Sequence, residues 1–181
     1  MHPFPVLETS RLLLRSLDAG DAAGVLSVYS DPQVTQFSEM VTLATTLQAS
    51  QVIKRFQVEC EQDTGIRWAI VRKTDPRCIG TCGLVWHRQN FSAYLSYDLA
   101  REFWNQGFAT EALRPVIHFG FAIMGLNRLS ATTIPANAAS MRVLQKLGFQ
   151  EEGILRQWAF WKGQFQDLRC FSLLRTDLIP A

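Results

Sequence analysis

Ala22, Val25, Leu26 and Tyr29 fall at helical spacing, and Leu47, Val52, Ile53, Phe56 and Cys60 repeat that period farther on. Two helices are therefore predicted in the first third of the chain, the first over residues 18–29. Residues 7–15 before them read as one β run, and a polar, Thr-rich passage, residues 38–46, joins the helices. Asp31-Pro32 ends the first helix, because proline supplies no N–H to the next turn. From Ile66 the period changes. Residues 66–72, 78–87 (after an Asp75-Pro76 turn) and 91–99 read as strands joined tightly enough to be antiparallel neighbours. Residues 129–134 follow a helix predicted over 108–124, so that connection is a βαβ crossover and the strands it joins are parallel. The crossover helix carries Leu113, Val116, Ile117, Gly120, Phe121 and Met124 on one face and stops at Gly125. Pro115 inside it predicts a kink that leaves the Glu111 carbonyl without a helical partner. A last crossover helix, 137–147, stops at Gly148, and residues 155–161 and 165–174 flank Lys162-Gly163-Gln164 as a closing hairpin.

No repeat or low-complexity linker interrupts these elements, so residues 1–181 read as a single α/β domain with a mixed sheet. The 48% apolar and 19% charged content is ordinary for a compact enzyme-sized domain. A net charge of +2, with Arg and Lys scattered singly, gives no footprint for nucleic acid. The N-terminus has no basic segment followed by an apolar core, and no window is long enough to span a bilayer, so a cytoplasmic protein without a membrane partner is expected. Cys60, Cys78, Cys82 and Cys170, with His2, His87 and His118, lack the spacing of a zinc site, and no metal is expected. Cys78 and Cys82 lie four apart in a predicted strand, which would point both at one face as buried reduced thiols.

The stretch from Ser96 to Leu113 (SYDLAREFWNQGFATEAL) reads as strand, glycine turn and helix opening. The first N–H groups of a helix have no intrahelical partner and the dipole is positive there, so this order builds an anion site. Gly107 keeps the backbone approachable, and Ala109 is the smallest chiral residue two positions on. A single glycine before a helix also serves as a plain turn residue.

WNQGFATEAL resembles the acetyl-CoA loop of the GNAT N-acetyltransferases, in the variant opened by Trp. GLNRLSATTIPANAASMRVLQKLGFQEEGILR resembles the segment in which Asn-x-x-Ser starts a helix ending in Lys-Leu-Gly-Phe. The closest likeness is to the Rim-type branch, which acetylates ribosomal-protein N-termini. The resemblance implies a GNAT-like fold: a mostly antiparallel central sheet, a parallel pair splayed at the acetyl-CoA site, and helices on both faces. It implies acetyl transfer from acetyl-CoA to a primary amine, either a protein N-terminus or a small molecule such as an antibiotic, by a monomer or homodimer. The co-substrate would be held by Trp104, Asn105, Gln106, Gly107, Phe108, Ala109 and Thr110 around the diphosphate, by Tyr97, Asp98 and Leu99 along the pantetheine, and by Asn137 and Ser140.

Two departures from the family pattern bear on the proton transfers. The Tyr that often protonates the leaving thiolate is replaced by Leu144, which makes Ser140 the candidate acid, although Ser140 also fits as a plain first-turn residue behind the cap Asn137. Where relatives often carry Glu, this chain has Tyr94, leaving Asp98, His87 or water as base. Asn105 stands where the loop often has Gly. Glu111 reads as a helix-start carboxylate, and Arg142 and Lys146 as a solvated face within reach of the CoA 3′-phosphate. A noncatalytic acyl-CoA-binding module is the alternative. A dinucleotide oxidoreductase lacks its Gly-x-Gly-x-x-Gly fingerprint.

Overall fold

The computed structural model describes residues 3–178. The N-terminal β run is two short strands, β1 (Leu7–Glu8) and β2 (Leu12–Ser16), instead of one. Thr9 turns the chain between them: its N–H donates to Leu12 O at 3.0 Å and its hydroxyl accepts from Leu12 N at 2.9 Å. After a single 3₁₀ turn comes α1 (Ala22–Tyr29). Asp31-Pro32 does end that helix, and it also opens another, α2 (Pro32–Thr35), where Asp31 is the cap and Pro32 sits in the first turn. Proline is tolerated there because its missing N–H would have no helical partner in any case. Helix α3 (Thr46–Glu61) starts at a reciprocal capping box of Thr45 and Gln48.

Strands β3 (Gly65–Arg72), β4 (Asp75–His87) and β5 (Ser92–Leu99) pair antiparallel in sequence order, with Pro76 inside the start of β4 and the turn at residues 73–74. One extra residue bulges from β4, where Val71 faces Cys78 but Ile70 faces Gly80. Because Cys82 faces Trp68, the bulge turns Cys78 and Cys82 to opposite faces of the sheet, contrary to the expectation from spacing; both are buried and reduced.

Helix α4 (Phe108–His118) runs through Pro115, and the expected irregularity comes four residues later, as a π turn over Phe119–Ile123. It leads to β6 (Arg128–Thr133), which is parallel to β5. Helix α5 (Ala138–Lys146) is followed by β7 (Gln150–Trp161) and β8 (Gln164–Leu174), and the sheet order is β1-β2-β3-β4-β5-β6-β8-β7. Adjacent residues of β3 show the two covered faces. The Arg67 guanidinium lies over Phe56 of α3, while Trp68 meets Phe119 at the end of α4. Trp68, Ile70, Leu84, Leu113, Leu129 and Phe171 are fully buried between these layers.

The sheet opens at the one parallel pair among the described residues. Strands β5 and β6 pair only at Ser92↔Arg128, Ala93↔Leu129 and Tyr94↔Ser130, although β5 continues to Leu99. Beyond Tyr94 β5 therefore has no strand partner on that side, where the Leu99 carbonyl accepts from the Trp104 indole N–H at 2.8 Å. Among the described residues, no helix is long and apolar enough to cross a membrane.

Candidate active site

At the mouth of this opening, α4 begins without a side-chain cap. Its Ncap residue is Gly107, at φ +79, a left-handed conformation that L residues avoid by about 1–2 kcal/mol. A Cβ there would meet only the Arg11 guanidinium, at 3.5 Å, so the backbone conformation and not crowding calls for glycine. Asn105 is also left-handed, at φ 57, and Asn is one of the few side chains that tolerate it. The N–H groups of Phe108, Ala109 and Thr110 thus begin a helix whose positive end faces a cavity of about 560 Å³. That arrangement suits a diphosphate.

The loop is held from a distance of some hundred residues. Arg11 donates from both terminal nitrogens to Gln106 O at 3.1 Å, stacks 4.2 Å from the Phe108 ring centre, and donates from Nε to Glu111 at 2.6 Å. Glu111 also accepts from the Thr9 hydroxyl at 2.6 Å, the Ser10 hydroxyl at 3.1 Å and the Arg11 N–H at 2.9 Å. Partial burial raises its pKa, but these donors outweigh that and hold the carboxyl below the usual range. Glu111 is a clasp between the β1–β2 turn and α4, a larger task than dipole compensation.

Helix α5 starts differently. Asn137 Oδ1 accepts from Ser140 N at 3.1 Å, closing the first turn. The Ser140 hydroxyl is left free to meet the Tyr97 hydroxyl at 2.9 Å. Burial pushes the Tyr97 phenol up to about 12, partly offset by that hydrogen bond. Spacing alone could not reveal this pair, since the residues are 43 apart and lie on different elements.

Asp98 points to the other face of β5. Its carboxylate accepts from the Tyr29 hydroxyl at 3.0 Å, and Tyr29 shares a 2.9 Å hydrogen bond with Thr81. Burial raises the Asp98 pKa, against the opposing influence of Arg67 and the Tyr29 hydrogen bond. Buried Tyr29 is itself pushed well above an ordinary phenol, first by desolvation and then by the Asp98 charge.

Of the residues expected to hold the co-substrate, Tyr97, Asp98, Leu99, Trp104, Asn105, Gly107, Phe108, Ala109, Thr110, Asn137 and Ser140 line the larger cavity. Gln106 does not: its side chain donates to Glu102 O at 2.7 Å, and its carbonyl belongs to the Arg11 clasp. Arg142 and Lys146 of α5 line the cavity as well as facing solvent. His87 is exposed and lines neither of the two cavities, although it stacks edge-on against Tyr94, which lines the smaller one. A second cavity, of about 420 Å³, lies between Phe37–Met40, α3 and the β7–β8 hairpin, with Trp158 and Trp161 on its hairpin side. Val34, Phe37, Tyr97, Asp98, Asn137 and Ser140 line both cavities.

A splayed parallel pair beside an uncapped, glycine-led helix is the arrangement that the resemblance to the GNAT N-acetyltransferases implied. Residues 11–150 match the acetyltransferase (GNAT) domain, and the chain belongs to that family. It is 35% identical over 173 residues to the uncharacterized N-acetyltransferase YoaA of Bacillus subtilis, covering 95% of this chain and 98% of that one. It is 30% identical over 95 residues to the ribosomal protein uS5-alanine N-acetyltransferase of Escherichia coli, covering 52% of this chain and 49% of the other. Among solved structures, Mycobacterium smegmatis RimJ in complex with CoA-disulfide superposes with a TM-score of 0.85 at 22% identity, over 100% of this chain and 93% of that one.

Proposed function

We propose that this protein transfers an acetyl group from acetyl-CoA to a primary amine, with Asp98 and Ser140 handling the two protons. The observation that carries this reading is the shared wall: where the two cavities meet, three side chains able to hold or move a proton, Tyr97, Asp98 and Ser140, stand together with the cap Asn137 and the apolar Val34 and Phe37. The larger cavity takes acetyl-CoA, its diphosphate against the N–H groups that follow Gly107 and its 3′-phosphate near Arg142 and Lys146. When bound, the co-substrate supplies an activated acyl group and a thiolate leaving group.

The amine enters from the smaller cavity. An ammonium must lose a proton before its nitrogen is nucleophilic, and Asp98 is suited to hold and then accept it. Burial has moved its pKa upward, toward that of the donor, while the Tyr29 hydroxyl and Arg67 keep the carboxylate form accessible. As the N–C bond forms and the C–S bond breaks, the Ser140 hydroxyl donates to the departing sulfur. The Tyr97 hydroxyl, 2.9 Å away, passes its proton to Ser140 and regains one from water, which also takes the second proton that the nitrogen sheds as the amide forms. A free N–H on the unpaired part of β5 is available to the thioester carbonyl oxygen.

The acceptor is a protein N-terminal amine or a small-molecule amine; the likeness to a ribosomal-protein N-acetyltransferase supports the former. Four unpaired cysteines fit a reducing, cytoplasmic setting. The test is thiol release from acetyl-CoA with a panel of N-terminal peptides, including those of ribosomal proteins, and small amines. Amine-dependent thiol release is expected. Tight acetyl-CoA binding without release for any amine would point to the noncatalytic alternative, which the Leu144 substitution raises.

A further inference from the structure

The smaller cavity contains a cation that the acetyl-transfer scheme uses only indirectly. Arg67 of β3 reaches it with its guanidinium 4.5 Å from the Phe56 ring centre. Nη2 donates to the Ser96 hydroxyl at 2.6 Å and Nη1 to the Thr81 hydroxyl at 3.3 Å, while Nε is buried without a hydrogen-bond partner. Among the described residues, Arg67 forms no ion pair. Arg11, Arg15, Arg72, Arg77 and Arg101, all at the surface or near it, each lie against a carboxylate. A partly buried guanidinium that has only neutral hydroxyls for partners keeps both charge and donors available to an anion.

Its placement relative to Asp98 gives that anion a context. The Asp98 carboxylate, Tyr29 hydroxyl, Thr81 hydroxyl and Arg67 guanidinium form one chain of three hydrogen bonds. The negative and positive groups stand at its two ends, and both line the cavity. That chain sets an upper limit on how far apart its ends stand, and an α-amino acid hydrogen-bonded at its amine and at its carboxylate, with bonds of about 3 Å at each end, has a span of the order of that limit. The remaining charges of the cavity, Glu39 and Arg55, are exposed to solvent. Lys162 at the hairpin turn donates to Thr35 O at the end of α2, which ties the β7–β8 hairpin to that helix.

We propose that Arg67 is an anion subsite of the acceptor pocket, and that the amine acetylated by this protein carries a carboxylate close to its nitrogen. The proposal rests on the acetyltransferase reading for the identity of the pocket, and it adds the substrate class. Arg67 takes the carboxylate through its terminal N–H groups, charge-assisted and backed by the Phe56 ring, while Asp98 takes the ammonium. The carboxylate has two sources with the same chemistry: the α-carboxylate of a free amino acid, or the acidic side chain of a short N-terminal peptide.

The experiment is calorimetric titration of the CoA-loaded protein with matched probes: a pool of free α-amino acids, the same amino acids as carboxamides, and tripeptide amides with Asp or Gln at the second position. A carboxylate form is expected to bind about tenfold or more tighter than its neutral partner, the size of one charge-assisted hydrogen bond. The arm in which the gap opens identifies the source. In Arg67→Gln the ratio of acid to amide affinity falls to about one, whatever change both probes share through Asp98, and in Arg67→Lys part of the gap returns. Equal affinity within every pair in the parent protein overturns the proposal, with no variant needed. So does a gap that survives in a folded Arg67→Gln protein. Because the readout is binding, it separates from the activity: carboxylates that bind selectively but are never acetylated sink the transferase scheme and leave the subsite. Carboxamides acetylated and bound as well as the acids do the reverse.

Discussion

Helices α4 and α5 both follow strands and both open onto the same cavity, yet their first turns are built in opposite ways. At α4 the Ncap is a left-handed Gly107 with no side chain to offer, so the first N–H groups are left for an external acceptor. At α5 the Ncap is Asn137, which takes the N–H of Ser140 and leaves that residue's hydroxyl as the reactive feature. A helix start can thus serve as an anion cradle or as a mount for a side chain, and the Ncap residue selects which.

The sharpest test of the mount is Ser140→Ala. Removing a positioned acid is expected to lower kcat by about a hundredfold or more, with acetyl-CoA affinity nearly unchanged because the Asn137 cap uses the backbone of residue 140, which alanine keeps. Tyr97→Phe tests the second hydroxyl. A smaller fall in kcat than for Ser140→Ala is expected, and a rate equal to the parent's would mean that Ser140 draws its proton from water.

The cradle is tested by Gly107→Val. A β-branched residue at φ +79 strains or shifts the loop, and calorimetry is expected to show acetyl-CoA affinity falling about tenfold or more. The melting temperature is expected to drop by only a few degrees, at about 2–4 °C per kcal/mol for a chain of this size. Unchanged affinity in the folded variant would remove the loop from the site. The converse control is Asn137→Ala. Losing the cap is expected to cost about 1 kcal/mol, seen as a small fall in melting temperature, and acetyl-CoA affinity should fall far less than in Gly107→Val.

The smallest effects expected are on stability against pH, and they have opposite signs for two carboxylates. Glu111 has its folded pKa lowered by its donors, so its contribution is present above its unfolded pKa and is lost as pH falls through the window below it. Glu111→Gln should therefore melt below the parent at neutral pH and converge with it in acid. Asp98 has its folded pKa raised by burial, so the folded state holds that proton to higher pH than the unfolded chain. Stability then falls as pH rises from the ordinary carboxylate range through the raised value. Asp98→Asn should match the parent in acid and gain on it toward neutral pH, while acceptor turnover is lost. Thermal melts across pH 3–8 check both, and parallel curves for Asp98→Asn and the parent would deny the carboxylate its cost of burial.

What the sequence by itself determined is what depends on neighbours along the chain. The apolar period marked the helices and strands, the βαβ connection required a parallel pair, and the local chemistry of Gly107 and of Asn137 with Ser140 marked both helix starts. Where only the tertiary structure decided, the partners were distant in sequence. Arg11 and Glu111 clasp the loop across about a hundred residues, Tyr97 finds Ser140 across 43, and Tyr29 reaches Asp98 across 69. The bulge in β4 follows the same rule: only pairing with β3 reveals the extra residue that turns Cys78 away from Cys82. Helix caps and apolar periods are set by backbone geometry within a turn or two and so are written locally. Hydrogen bonds between side chains on different elements exist only once packing fixes the register of the strands and the face each residue presents.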